Sequence, residues 1–349
     1  MRCRHRVRGS CRKLLYLTTV TIKKKQHYVP QLHLARFTYD GERLHVYDKF
    51  KQKAFITNKR DVAEENAFYN IPGELLTADV TKNGIYPQLM EDLLSQLEGR
   101  YQKTLQKLLD TPPAGTIHDE VKGEMCYFLS LQILRTRDTR NLAKEMQRAF
   151  LQSLVDELVK LNFPDHTGLT PRAVITNDVI SHLRLMLDPR IVAPICEMLG
   201  NHIWCLAFND NPKTLYTSDT PVVKWNYVDH KYASGWAGPG VEIVFPITPR
   251  HALILLERQM FSQYSKMDRR WVEMEANDVD HSNELQIVNS HRQIFSSTGD
   301  FKFLEDMYRS RPDLFAPREE TITVNVYDKP SDEPSKIKQD VELLIKPRR

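Results

Sequence analysis

With 349 residues, 41% hydrophobic and 27% charged, the chain has the apolar content for one large domain or two ordinary ones, which excludes wholesale disorder. No run of 18 apolar residues occurs, so no membrane-spanning helix is expected. The net charge of +4 is uneven: residues 1–25 carry five Arg and four Lys without an acid, and the other 324 residues hold 40 basic and 45 acidic side chains. That mildly acidic body excludes a strongly basic nucleic-acid-binding domain and leaves only a local basic patch open.

The basic N-terminus admits three readings. It suits an organellar transit segment or a basic arm touching nucleic acid. The favoured reading is a true start at Val20, with residues 1–19 a translated leader or a disordered basic segment, because positions 1–13 show no apolar periodicity. Five cysteines (Cys3, Cys11, Cys126, Cys196 and Cys205) form no CxxC pair and no zinc-like spacing. Cys126, Cys196 and Cys205 lie among apolar residues and read as buried free thiols, which fits a reducing, cytoplasmic location.

In chain order, QHYVPQLHLARF at 26–37 reads as a turn opening a short helix. Residues 43–48 and 53–57 read as a hairpin, and 66–70 as a further strand before Pro72-Gly73. Leu89, Leu93, Leu97, Tyr101, Leu105, Leu108 and Leu109 keep helical spacing and predict a long amphipathic helix ended by Thr111-Pro112-Pro113. A second long helical run is expected over about 118–161, with shorter helices at 171–185 and 189–199. Strands follow at 202–208, 213–217, 241–247 and 252–257, then a helix at 275–290 and a strand at 293–297. Strands, then helices, then strands predict an α+β fold, with long central helices packed with a small N-terminal β-hairpin and a C-terminal mostly antiparallel sheet. Residues 20–327 are expected to form one domain, and the charged tail 328–349 to be partly disordered.

Four patches carry a resemblance. They are Gln26-His27-Tyr28-Val29-Pro30-Gln31 with Leu34, Arg36 and Phe37; Phe128 to Thr136; Tyr216-Thr217-Ser218-Asp219-Thr220-Pro221-Val222 with Pro246-Ile247-Thr248-Pro249; and Asn283-Glu284-Leu285-Gln286 leading to Phe295-Ser296. In order and spacing they resemble the mainly bacterial family known as domain of unknown function 4238, over about residues 26–300. His33 stands where that family often has an aromatic residue, and Thr220 where it often has Asn. The resemblance implies no established activity.

On a continuous helix Phe128, Gln132, Arg135 and Thr136 would share a face. A buried Arg135 then needs an acceptor, with Asp219, Glu91 and Glu98 as candidates. It reads either as a structural ion pair or as an anion site. Ser218-Asp219 closes a strand, either as a turn bonding its own backbone or as a group orienting His27. Ser218 lacks the surroundings of a nucleophile elbow. His27 suits an acid, base or donor near neutral pH, or alternatively belongs to an N-terminal plug. The combined expectation is a hydrolase-like cleft for an anionic substrate, a phosphodiester being first choice. His27, Asp219 and Arg135 would be its catalytic groups and Tyr28, Gln31, Arg36, Thr136, Ser218 and Asn283 its binding groups. The alternative is a non-catalytic binding or interaction protein in which these residues are a structural network. There is no P-loop, G-x-G-x-x-G or H-E-x-x-H, and His27, His33, His281 and His291 have no matching ligand set. No nucleotide cofactor and no structural zinc are therefore expected, while a carboxylate-bound Mg²⁺ stays open. The expected partner is an anionic small molecule or nucleic acid, and not a membrane.

Overall fold

The structure is a computed structural model and describes residues 23–162, 171–228 and 235–316. The expected leader at 1–19 and the tail at 328–349 lie outside the described residues. The chain opens with β1 (Lys25–His27), α1 (Gln31–Leu34), the hairpin β2 (Arg43–Asp48) and β3 (Lys53–Asn58), and β4 (Glu64–Asn66). Helices α2 (Ala78–Lys82), α3 (Leu89–Leu109), α4 (Asp119–Leu134), α5 (Arg137–Asn162), α6 (Val179–Leu187) and α7 (Pro189–Asn201) follow. The last part holds β5 (Ile203–Phe208), β6 (Thr217–Ser218), β7 (Val223–Asn226), β8 (Val241–Thr248), β9 (His251–Leu256), β10 (Arg270–Glu273), α8 (Ala276–Asn289), β11 (Gln293–Ser296) and α9 (Lys302–Ser310).

The fold is α+β. Among the described residues the strands make a β1–β4 pair, a four-stranded sheet in the order β3-β2-β11-β6, and a five-stranded sheet in the order β10-β5-β9-β8-β7. Every pairing is antiparallel except β10 with β5. The expected hairpin is present but does not stand alone. β11 pairs β2 from Gln293↔Asp48 to Ser296↔His45, so the two ends of the fold share one sheet. That sheet separates two cores: Leu44, Val46 and Phe295 face one side, Tyr47 and Ile294 the other. The alternation follows the two-residue period of a strand.

The largest core lies between the five-stranded sheet and the helices. Val241, Ile243, Phe245 and Ile247 of β8, with Leu253 and Leu255 of β9, meet Tyr101, Leu105 and Leu108 of α3 and Met125 and Leu129 of α4. α4 also contributes Leu131 and Leu134 to the core built on Tyr28, Val29 and Leu34 and on Leu44 and Val46 of β2. It is therefore apolar around most of its circumference, as a helix packed on both sides must be. On α3 the buried face is Met90, Leu94, Tyr101, Leu105 and Leu108, one step round from Leu89, Leu93 and Leu97, which are half-buried. No described helix is long and apolar enough to cross a membrane.

Several expectations are corrected, among them the strand at 66–70, which is Glu64–Asn66, and the helix at 171–185, which is Val179–Leu187. The helical run over 118–161 is two helices, because Arg135 and Thr136 break it. The Thr136 and Thr139 hydroxyls both donate to the Ile133 carbonyl (3.2 and 2.8 Å), and the Thr136 oxygen accepts the Thr139 N–H (3.3 Å). Side-chain hydroxyls thus replace the helical bonds at the junction and cap α5. The strand expected at 213–217 shrinks to Thr217–Ser218. The Asn283 carboxamide accepts the Tyr216 N–H (2.7 Å) and donates to the Thr214 carbonyl (3.0 Å), standing in for a neighbouring strand. Cys126 and Cys205 are buried free thiols, but Cys196 is only half-buried.

Candidate active site

Arg135 lies at the C-terminal end of α4 and is 3% exposed. Its guanidinium reaches Glu98 of α3 (3.0 Å), the His27 backbone carbonyl (2.5 Å) and the Tyr69 hydroxyl (3.4 Å). Of the three candidate carboxylates, Glu98 is the one that pairs. The guanidinium is fully engaged with protein, so it ties α4 to α3 and to β1. Thr136, beyond the helix end, caps α5 and does not extend the Phe128–Arg135 face.

His27 is joined to Arg135 through its backbone, not its ring. The imidazole Nδ1 lies 3.4 Å from the Gln31 amide, and Nε2 is buried without a hydrogen bond. Burial, reinforced by the Arg135 and Lys25 charges and opposed by the nearby Arg60 carbonyl and Asp61, lowers its pKa to about 4. The ring is therefore neutral at physiological pH, which removes it as a general acid there. His33 is fully buried, stacks on Phe245 (5.0 Å) and bonds Thr217 (3.0 Å).

Asp219, 1% exposed, makes no hydrogen bond to His27 or Arg135. Its carboxylate accepts three consecutive backbone N–H groups, from His291, Arg292 and Gln293, each at 2.8 Å. Burial raises the Asp219 carboxyl, and the His291 ring and the amides pull it back. The 290–293 turn is held from two further sides. The buried Lys49 ammonium donates to the carbonyls of Ile287 and Ser290 (2.7 and 3.1 Å), placing a cation at the C-terminus of α8. Arg292 forks onto Asp48 (2.6–3.0 Å). Burial opposes the ionised form of Asp48, yet Arg292 and the amides of Lys51 and Phe50 hold its carboxyl below the usual range.

Ser218 donates to Gln286 of α8 (2.7 Å), and Gln286 donates to the Pro221 carbonyl (3.0 Å). Ser218 and Asn283 are thus pins between α8 and the Tyr216–Pro221 segment. Arg36 is half-buried and makes no ion pair among the described residues. Tyr28 is different: it is 5% exposed, and its hydroxyl has no hydrogen-bond partner among the described residues. Burial and the Asp219 charge raise its pKa well above the usual phenol value.

Tyr28 and Asp219 meet in one cleft of about 90 Å³, lined also by Asp61, Val62, Ala63, Glu64, Arg137, His291, Arg292 and Gln293. Within it His291 Nδ1 bonds Asp138 in the first turn of α5 at 2.6 Å. A carboxylate only accepts, so Nδ1 carries the proton and Nε2 presents the lone pair when the ring is neutral. His291 Nε2 has no hydrogen bond among the described residues. Arg137 at the rim pairs with Glu65 (3.3 Å), a half-exposed contact worth about 1 kcal/mol at most. Ala63, on the wall, has φ +47°, a left-handed conformation costing about 1–2 kcal/mol in a residue with a Cβ.

Of the nine residues singled out from sequence, the cleft therefore brings together Tyr28 and Asp219, while His27 and Arg135 support its wall from behind. His291, Asp138, Arg137 and Arg292 were missed as site residues. The available signal was their placement: Arg137-Asp138 directly follow the second patch, and His291-Arg292 lie between the fourth patch's helix and its strand. Among the described residues no group of three or more His, Cys, Asp or Glu is arranged to hold a metal ion.

No curated protein and no solved structure matches the chain. A family model does match, over residues 25–300, and it spans all four patches, the Asp138–His291 pair and the turn that carries it. On that match the chain belongs to the family described as Protein of unknown function (DUF4238).

Proposed function

We propose that this cleft is the acid–base centre of a hydrolase-type enzyme acting on a substrate with a small anionic group, a phosphodiester being the first choice. The observation that carries the reading is the Asp138–His291 pair, whose 2.6 Å bond fixes the imidazole while leaving Nε2 unpartnered among the described residues. In this reading His291 takes or gives the proton, Asp138 orients it, and the Tyr28 hydroxyl donates to a substrate oxygen. Arg137, held among the described residues only by a rim ion pair, turns toward the anionic group. Asp219 is a positioning residue, acting through the three amides that aim His291. The strained Ala63 on the wall adds support, since such backbone strain concentrates at functional sites.

The cleft's size limits the substrate. At about 90 Å³ it is well below the roughly 300–1,000 Å³ of sites that enclose a whole ligand, so it accepts a head group while the rest stays outside. The buried free thiols Cys126 and Cys205 support a reducing, cytoplasmic setting.

The test uses the full chain with bis(p-nitrophenyl) phosphate, p-nitrophenyl phosphate and p-nitrophenyl acetate. Turnover of one of them should fall about 10²–10⁴-fold in His291→Gln, with the circular dichroism spectrum unchanged. Turnover of none, or a His291→Gln variant as active as the parent, would refute the enzyme reading. One observation favours the second reading, a non-catalytic binding protein: Arg135, Asp219, Ser218 and Asn283 are each engaged with other parts of the protein. That version expects bis(p-nitrophenyl) phosphate to bind without being turned over.

A further inference from the structure

Helix α5 carries an apolar stripe that nothing in the described structure covers. Met146, Phe150, Leu154, Leu158 and Leu161 follow steps of four, four, four and three, which keeps them on one face, with Leu151 on its edge. They are 36–77% exposed, Leu161 most of all, whereas Ala149 and Ser153, on the flank beside Met146, are buried. The stripe runs about 22 Å at 1.5 Å per residue. With about 150–200 Å² per fully exposed side chain, it leaves on the order of 500 Å² of apolar surface in water. Monomers rarely leave a contiguous patch much larger than a few hundred Å². The same area is the apolar share, about 65% of about 800 Å², of each side of an ordinary homodimer interface.

We propose that α5 is a homodimerisation element that packs antiparallel against α5 of a second copy of this chain. A two-fold interface requires a self-complementary patch, and this stripe is one. In the register that sets Phe150 over Leu154 of the partner subunit, Met146 falls over Leu158 of the partner subunit, and no polar residue is forced between them. Charge agrees with the direction. Within the overlap that this register gives, residues 142–162, the first half carries Lys144 and Arg148 against Glu145, and the second half carries Asp156 and Glu157 against Lys160. An antiparallel pair lays the basic half of one helix over the acidic half of the other and opposes the two helix dipoles. A parallel pair would stack like charge on like.

Sedimentation velocity of the full chain from about 1 to about 100 µM decides the matter, because a dimer responds to concentration by mass action. The parent should sediment as a dimer at the upper end. Leu154→Glu combined with Leu158→Glu should give a monomer with an unchanged circular dichroism spectrum, since both positions are exposed within one copy. The milder Phe150→Ala should raise the dimer Kd at least about tenfold, as removal of a central aromatic anchor does. A parent that stays monomeric throughout, whether the stripe is bare or covered by residues 317–349, overturns the proposal. So does a dimer that both variants leave intact.

Discussion

Replacing Asp219 by Ala should be among the most damaging single changes in the protein, although no part of Asp219 need touch a substrate. The substitution strips the acceptor from three buried N–H groups at once, those of His291, Arg292 and Gln293. Each orphaned donor costs about 1–3 kcal/mol. The adjoining cleft can admit water to part of the gap, so the expected loss is about 3–5 kcal/mol, a large fraction of a typical stability of about 5–15 kcal/mol. Asp219→Asn separates geometry from charge. Its oxygen can keep the Arg292 and Gln293 amides, but its NH₂ then opposes the His291 N–H, so about 1–3 kcal/mol should go. Guanidinium titration followed by tryptophan fluorescence measures both, with the m-value as a check that the same surface unfolds. The His291 ring nitrogens give a second readout by ¹⁵N NMR, because loss of the clamp should release the Nδ1 bond to Asp138. A loss below about 1 kcal/mol for Asp219→Ala, with the tautomer unchanged, would refute the clamp.

Two further expectations concern the supports of the cleft. Arg135→Ala should cost about 3 kcal/mol, the low end for a broken buried pair, because Glu98 is 25% exposed and can be rehydrated. It should couple to Glu98→Gln in a double-mutant cycle, yet add to Asp219→Ala within about 0.5 kcal/mol, since Arg135 and Asp219 share no partner. Strong coupling between Arg135 and Asp219 would restore a single network. Stability should also fall as pH drops from about 6.5 toward 4. His27 and His182 are held at about 4, and His33 at about 3, mainly by burial. In that window the unfolded chain takes up protons that the folded chain refuses, so each ring removes on the order of 1–2 kcal/mol by pH 5, and none of this is lost above pH 7. His281, raised by its bond to Glu242, works in the opposite direction and offsets part of the loss. A Tm that is flat between pH 7.5 and 5 would contradict the assignment.

What could be read from sequence was what repeats locally. The helical period marks α3 and α7, the apolar runs mark β5, β8 and β9, and the α+β order follows from them. Tertiary features stayed hidden. The break at Arg135-Thr136 depends on two hydroxyls competing for one carbonyl. The Tyr216 strand fails to form because a carboxamide on α8 takes its place. β10, with only four residues, exists because β5 offers it an edge. At the site, sequence could say that Arg135 and Asp219 would need partners once buried, but not which ones. Both found them in the protein: Arg135 on a helix 37 positions earlier, Asp219 on backbone amides 72 to 74 positions later. A backbone acceptor or donor leaves no mark on residue type, so the dyad they support had no signature of its own.

The pairing of β2 with β11 dictates when this cleft can come into being. It joins positions 48 and 293, and closing so long a loop costs about 3–4 kcal/mol more entropy than closing a short hairpin. During synthesis Tyr28 and the β2–β3 hairpin emerge first and must wait, with one edge of β2 unpaired, until the turn at His291 and then β11 leave the ribosome. A chain stopped short of residue 290 would therefore lack a wall of the cleft and carry an open strand edge, the feature that leads nascent and truncated chains to aggregate.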